Sequence, residues 1–527
     1  MKYDFDEIIP RRHTNSYKWD SAADSDVLPL WVADMDFRTA PAITEALADR
    51  VGHGIFGYTR VPDEYYEAVC AWFKRRHGWA IEKEWMIYTS GVVPAVSAII
   101  KALTVPGDKV LVQTPVYNCF FSSIRNNGCE VASNPLVYEN HTYRIDFEDL
   151  ERKASDERVK VMLLCNPHNP AGRVWTREEL MQIGKICLRH NVTVVSDEIH
   201  CELTYPGHAY TPFASLPETV TGHAVTCISP SKSFNIAGLQ IANIVAPDEE
   251  IRRRIDKAIN INEVCDVNPF GVIATIAAYR KGEDWLDQLL AYLQGNYRYM
   301  EEFCTEHLPD FPICKLEGTY LVWMDCRTLA TPSAELEHRL TREARLWLNA
   351  GAMYGKEGES QLTYVQNGIL AAILLNSGAA DYVVTGCGTG EGAMLALNSF
   401  PGVLCGHVVD PSDGFMFAQI NDGNAVSMPF AKGFGWGAEL NLEYTFEKLF
   451  GFGSGNGYPA DRVVPEQRNK KILDAVRAHT LKDLITCLKG IDQELVRGAV
   501  AGERFAELFF AHAKDENIIA YVRELLG

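Results

Sequence analysis

The chain has 527 residues, 47% hydrophobic and 23% charged, the balance of a soluble globular protein too long for one ordinary domain. Lys and Arg number 50 against 69 Asp and Glu, and the net charge of −19 has the wrong sign for a bulk nucleic-acid or anionic-membrane binder. The 14 cysteines are scattered with no Cys-x-x-Cys pair, so neither a disulfide framework nor a metal site is expected. There is no apolar opening of signal-peptide type and no run of about 18 apolar residues, which gives the expectation of a cytoplasmic protein with reduced thiols.

From about residue 40 to 279, strand and helix patterns alternate. Residues 109–112, 159–164, 192–195 and 224–228 are short apolar runs of the buried-strand kind. After Trp175, Thr176-x-x-Glu179 forms a capping-box pattern, and Leu180, Ile183 and Cys187 follow at helical spacing. Such alternation predicts a mainly parallel sheet covered by helices on both faces. A long helix over about 283–307, a strand at 319–323 and a further helix predict a smaller α+β lobe.

The character changes near Gly355-Lys356-Glu357-Gly358-Glu359-Ser360. A second α/β alternation follows, with a helix at 366–376, a strand at 382–385 and a glycine-rich turn, and from Glu466 the pattern is helical. The expected organisation is an N-terminal arm with part of a small lobe (1–40), a large domain (41–282), the rest of the small lobe (283–358), a smaller Rossmann-like α/β domain (359–465) and a helical tail (466–527).

In α/β proteins ligands bind where strands end, beside helix N-termini. Four segments fit that description: Ser90-Gly91-Val92-Val93-Pro94, Asn166-Pro167-His168-Asn169-Pro170, Ser196-Asp197-Glu198-Ile199-His200 and Ser229-Pro230-Ser231-Lys232-Ser233. Each taken alone also reads as structure: a helix cap, a turn or a solvated loop. Their order along one alternating pattern favours a shared site.

Together with Trp31-Val32-Ala33-Asp34-Met35-Asp36-Phe37, Gly57-Tyr58-Thr59 and Ser231-Lys232-Ser233-Phe234-Asn235-Ile236-Ala237-Gly238-Leu239, these motifs resemble the pyridoxal-phosphate enzymes of aspartate-aminotransferase fold (fold type I), in their cystathionine β-lyase or C–S lyase branch. The resemblance covers about residues 1–355. It implies that Lys232 carries pyridoxal 5'-phosphate as a Schiff base and then takes the substrate Cα proton. It implies that Asp197 faces the pyridine nitrogen, that Asn169 donates to the ring O3′ and that Tyr117 stacks on the ring. The phosphate falls to the Gly91 and Val92 backbone with Ser229 and Ser231. Tyr58 resembles the tyrosine that reaches the neighbouring subunit's phosphate, which implies a homodimer with shared sites. His200 and Gln240 stand where many aminotransferases have a tyrosine and a phosphate-binding arginine, and His200 argues mildly for elimination. The arginine segment that clamps the substrate carboxylate in these enzymes does not follow 347–355.

A second constellation, Tyr382-Val383-Val384-Thr385-Gly386-Cys387-Gly388-Thr389-Gly390, superficially matches a Rossmann methyltransferase motif. With Asn398-Ser399-Phe400-Pro401-Gly402 and Ile420-Asn421-Asp422-Gly423-Asn424, it is more similar to the ribose-5-phosphate isomerase B and galactose-6-phosphate isomerase family over about 361–467. That resemblance implies Cys387 as the base moving a proton between sugar C1 and C2. It also implies Gly388, Thr389 and Gly390 as the enediolate-binding backbone, and Asn398 and Asn421 as sugar contacts. Cys387 also reads as a small buried residue at a strand end. The family's N-terminal strand–helix unit is missing, and Ile420 replaces a frequent His.

Both resemblances lose material at one junction. The expectation is a pyridoxal-phosphate-dependent C–S β-lyase acting on a small amino acid and fused to an isomerase-like domain. The alternatives are an aminotransferase, a bifunctional enzyme that also takes a sugar phosphate, and a largely non-catalytic fusion with an interaction module.

Overall fold

The structure is a computed structural model that describes residues 3–22, 26–261, 267–329, 331–355, 362–429 and 438–526. Residues 1–357 and 358–527 form two compact units. The junction segment 356–361, where composition changes, lies outside the described residues.

The first unit is built on a seven-stranded sheet of β1 (Met86–Thr89), β2 (Lys109–Val112), β3 (Glu130–Ser133), β4 (Val159–Cys165), β5 (Thr193–Asp197), β6 (Val225–Ile228) and β7 (Ala242–Val245). Their order is β1-β7-β6-β5-β4-β2-β3. All neighbours run parallel except β7, which is antiparallel to both β1 and β6. The four apolar runs of the sequence are β2, β4, β5 and β6. Their continuous apolarity follows from burial on both faces. Val161, Leu163 and Val195 join one core cluster while Met162, Leu164 and Val194 join another, because successive side chains in a strand point to opposite faces.

Helices supply the other half of each cluster. Helix α1 (Val92–Leu103) sends Val92, Val96 and Ile99 into the first cluster, and α2 (Arg177–Arg189) sends Leu180, Ile183 and Cys187 into the second. The capping box at α2 forms as read: the Thr176 hydroxyl accepts from Glu179 N at 3.2 Å, and Glu179 Oε2 accepts from Thr176 N at 2.8 Å. The long helix is α3 (Glu283–His307).

The strand expected at 319–323 does not form. Thr319 adopts φ +68°, which breaks an extended run. Short antiparallel pairings replace it: Cys314 N donates to Trp323 O at 2.7 Å and Asp325 N to Pro312 O at 2.9 Å, while Thr319 N donates to Leu203 O at 2.7 Å. The segment has no partner strand among the described residues. A separate two-residue parallel pairing joins Leu28–Pro29 to Leu346–Trp347.

The second unit has a parallel three-stranded sheet of β8 (Val383–Cys387), β9 (Cys405–His407) and β10 (Ala425–Pro429), in the order β8-β10-β9. Helix α4 (Tyr364–Ser377) packs Ile369, Ala372 and Ile373 against it, and α5 (Glu391–Asn398) adds Leu397. The helical stretch begins with α6 (Val463–Thr480) and continues to Leu526. Leu488, Val496, Val500, Phe509 and Val522 lie in the same core cluster as Ile369. Those helices therefore complete this unit's core.

Candidate active site

Strand register brings five segments of the first unit to one rim. Thr89, the last residue of β1, pairs with Ala242, and Ile228, the last of β6, pairs with Asn243. Asp197 ends β5 beside Cys227 on one side and Cys165 on the other, and Val112 ends β2 beside Leu163. The residues that follow these ends include Gly91 and Val92, Ser229 to Lys232, His200, Asn169 and Tyr117. They share the carboxyl edge of the sheet, where this architecture binds ligands.

Lys232 Nζ donates to Ala33 O at 2.6 Å, and the Tyr320 hydroxyl donates to the same carbonyl at 2.9 Å. Burial pushes the Lys232 ammonium below its ordinary value, while the charges of Asp34 and Asp197 pull it back. Asp197 is buried, and burial pushes its carboxyl up to about 7. The Ile199 N–H, donating to Asp197 Oδ1 at 3.1 Å, and the charge of Lys232 oppose that rise. Burial pushes His200 down to about 3, and Lys232 adds to the effect, so this imidazole is neutral at pH 7. Burial likewise raises the Tyr117 phenol.

Asn169 Oδ1 and His200 Nδ1 are buried and without a hydrogen bond among the described residues. A buried unsatisfied polar atom costs about 1–3 kcal/mol, so these two leave hydrogen-bonding capacity at the rim that a polar ligand could take up. The head of α1 at Gly91 and Val92 presents free N–H groups suited to an anion.

Three sequence-identified residues need separate comment. The Ser229 hydroxyl donates to Ile241 O at 2.6 Å, which fixes the turn into β7, and Ser231 N donates to Ser229 Oγ at 3.1 Å. Tyr58 is 98% exposed, so a single chain does not bring it into its own rim. Tyr320 and Ala33 contact Lys232 directly or through one bond, yet sequence reasoning gave neither a role. Ala33 acts through its backbone, and Tyr320 sat in a segment read as a strand.

The sequence model of the family described as Aminotransferase class I and II matches residues 25–366. The chain belongs to the aminotransferase class I and II family. It is 45% identical to the cystathionine beta-lyase PatB of Bacillus subtilis (strain 168) over 67% of this chain and 93% of that protein. It is 33% identical to protein MalY of Escherichia coli (strain K12), over 68% and 92% respectively. Among solved structures, cystalysin from Treponema denticola, containing a pyridoxal 5'-phosphate cofactor, superposes with a TM-score of 0.66 at 35% identity, covering 68% of this chain and 92% of that one. The rim fits that cofactor. Asp197 and Lys232 are adjacent to its unpartnered donors and acceptors, and a helix head stands ready for a phosphate.

The second unit carries its own matches. Residues 338–448 match the model described as Ribose/Galactose Isomerase, and residues 479–525 match one described as Ribose-5-phosphate isomerase. Its rim is the carboxyl edge of β8, β9 and β10. Burial pushes the Cys387 thiol up, but the N–H groups of Ala393, Gly390, Gly392 and Thr389 outweigh it and hold the thiol below its ordinary value. Two residues not singled out by sequence reasoning shape this loop. His407 Nε2 lies 2.9 Å from Thr389 O, and Ser427 Oγ donates to Gly390 O at 2.6 Å. Gly390, at φ +80°, has no room for a side chain, since a Cβ there would sit 2.6 Å from His407 Nε2. The signal for both residues was their place in the other two strands of this sheet, Ser427 in β10 beside β8 and His407 in β9 beyond it.

Asn398 and Asn421 depart from expectation. The Asn398 amide donates to Cys405 O at 2.8 Å and accepts from Cys405 N at 3.0 Å, which uses both its ends on backbone. Cys405 and Val383 both pair with Ala425, at the amino edge of the sheet. Four residues of strand separate that edge from Cys387, about 13 Å. Asn421 precedes β10 at the same amino edge and is exposed. Within one chain neither asparagine joins Cys387.

In the first unit, His77, Cys201 and Glu202 place ligand-type atoms within 4.8 Å of one another. Glu202 is already engaged by Trp72 Nε1 at 2.6 Å, His77 Nε2 at 2.7 Å and Arg76 Nε at 3.0 Å. That arrangement is an ion-pair anchor that ties the turn after β5 to the helix carrying Trp72, Arg76 and His77, and the guanidinium fills the place of a cation.

The acid in the first rim gives a pH test. Asp197 titrates near 7 when folded and near about 3.9 when unfolded. Its contribution to stability is therefore full below about 4 and is lost as pH rises through 7. In cofactor-free protein, urea denaturation of wild type against Asp197→Asn should show the difference in stability moving against the wild type across that window. Added pyridoxal phosphate should flatten the trend.

Proposed function

We propose that residues 1–357 act as a pyridoxal-phosphate-dependent C–S β-lyase on cystathionine or a related cysteine S-conjugate, giving pyruvate, ammonia and a thiol. The observation that carries this reading is Asp197 at the end of β5 with the partly buried Lys232 in the turn after neighbouring β6, each acting on the other's charge. In that role Asp197 faces the pyridine nitrogen, Asn169 and His200 offer their unpartnered atoms, and Tyr117 covers the ring. Gly91, Val92 and Ser231 receive the phosphate, with the turn fixed by Ser229. Bound pyridoxal phosphate supplies an electron sink for the pair left when Cα loses its proton.

Lys232 does the proton work. Its depressed basicity leaves a larger fraction neutral near pH 7, which a base requires. The proton passes from substrate Cα to Lys232 Nζ, and the β-thiolate then leaves. Transamination begins with the same proton transfer and diverges only if the pair is returned elsewhere before the thiolate departs. The names of the relatives, cystathionine beta-lyase among them, favour elimination.

The exposed Tyr58, with Ile55 and Phe56 exposed beside it, supports a homodimer in which Tyr58 completes the partner's phosphate site. With the cysteines among the described residues free and no helix among those residues long and apolar enough to cross a membrane, the chain is proposed to work in the cytoplasm. The arginine clamp for the substrate carboxylate is absent from the segment before the junction. Asn349 there is engaged with Trp31 O and the Tyr354 hydroxyl.

Incubation with L-cystathionine should yield thiol and pyruvate in equal amounts, abolished in Lys232→Ala. Amino-group transfer to a keto acid without thiol release would place the chain among the transaminases instead. A lost bidentate partner costs about 2–5 kcal/mol, so KM should exceed that of the 45%-identical relative by roughly thirtyfold or more.

The lowered Cys387 thiol supports a second reading, in which residues 358–527 move a proton between C1 and C2 of an aldose or ketose phosphate. Without the ring-opening groups this activity should be weak. Ribose 5-phosphate turnover that vanishes in Cys387→Ala supports the reading, and turnover unchanged by that substitution refutes it.

A further inference from the structure

Glu198, one residue after the acid of the first rim, is fully buried. A carboxylate in that position is costly unless donors answer its oxygens. Four do so. Ser196 Oγ donates to Oε1 at 2.8 Å, Phe213 N at 2.9 Å and Asn166 Nδ2 at 3.2 Å, and the Tyr210 hydroxyl donates to Oε2. These donors come from three stretches of chain: Ser196 from β5, Asn166 from the turn after β4, and Tyr210 and Phe213 from the loop that follows the β5 turn. Asn166 Nδ2 also donates to Thr211 O in that loop, at 3.0 Å. Ser196 and Glu198 share one face of the strand and Asp197 has the other, as the two-residue period requires.

We propose that Glu198 is a positioning residue that holds the Asp197 turn and the Asn169 turn at the spacing the pyridine ring requires. The proposal rests on the lyase reading of the rim, which gives Asp197 the ring nitrogen and Asn169 the ring O3′. Strand pairing fixes the two turns only at their roots, where Cys165 pairs with Asp197 and Asn166 N donates to Asp197 O at 2.9 Å. Past that point the ladder between β4 and β5 ends. Asn169 lies three residues further on, with its N–H on Cys165 Sγ at 3.3 Å and its Oδ1 without a hydrogen bond among the described residues. Glu198 Oε1 supplies the next cross-link, from the Asp197 turn to the side chain of Asn166, and the Tyr210 to Phe213 loop secures both from behind. Asp197 and Asn169 serve two atoms of one rigid ring, so an error in their spacing weakens both contacts together. Glu198, on the opposite face of the strand, acts through Asp197 and Asn169 and not on the ligand.

The test reads cofactor binding, not turnover. Cofactor-free protein is titrated with pyridoxal phosphate and with deazapyridoxal phosphate, in which a C–H replaces the ring nitrogen. The ratio of the two dissociation constants reports the Asp197 contact. A charge-assisted hydrogen bond at that atom should give the wild type roughly a tenfold preference for pyridoxal phosphate or more. Glu198→Ala should reduce this preference by about fivefold, because Asp197 is then no longer held against the ring nitrogen. Glu198→Gln should keep it within about twofold of wild type, since the amide oxygen still takes three donors and the amide N–H can donate to the Tyr210 oxygen. An unchanged preference in Glu198→Ala overturns the proposal, even if both cofactors bind more weakly, because a general loss of packing weakens both alike. If Glu198→Ala does not fold, Tyr210→Phe, which frees Oε2, should reduce the preference by about twofold, and an unchanged preference there overturns the proposal alone. Failure of the lyase reading would appear separately, as a protein that shows the Glu198→Ala effect but releases no thiol from L-cystathionine.

Discussion

The first unit depends on keeping a buried aspartate at the end of one strand and a partly buried lysine in the turn after its neighbour. Neither is stable there unaided. Burial drives Asp197 up to about 7 and Lys232 downward, each opposing the other's shift. The seven-stranded sheet makes the arrangement obligatory, because parallel β5 and β6 end together and the antiparallel β7 returns between β6 and β1. Every donor at the rim, from Gly91 to Asn169, is placed by the same register. The proposed cofactor site is thus a property of the sheet edge.

Much of this was legible in the sequence. Continuous apolar runs identified β2, β4, β5 and β6, and the Thr176–Glu179 capping pattern located α2. The order of motifs after those runs located the rim. What the sequence hid was carried by backbone or by position without a motif. Ala33 acts through a carbonyl, which no residue type encodes. Tyr320 lay in a segment whose β-branched and aromatic residues favour a strand, but positive φ at Thr319 breaks the run and leaves only isolated bridges on either side of it.

The second unit teaches the complementary lesson. Cys387 and its glycine turn join one strand to one helix, and His407 of β9 and Ser427 of β10 hold the turn, so a three-stranded sheet is enough to fix it. Asn398 and Asn421 were sugar contacts only by resemblance, which does not say which end of a strand a residue occupies in this chain. The register puts both at the amino edge, where Asn398 holds the first residue of β9. The helices after α6 looked like an appendage, but Phe509 and Val522 are core residues.

The most direct measurement of the central claim is borohydride reduction of protein reconstituted with pyridoxal phosphate, followed by peptide mapping. The account predicts one cofactor per chain, fixed to Lys232, with none fixed in Lys232→Ala. Cofactor trapped at equal stoichiometry on another lysine, or undiminished in Lys232→Ala, would contradict it.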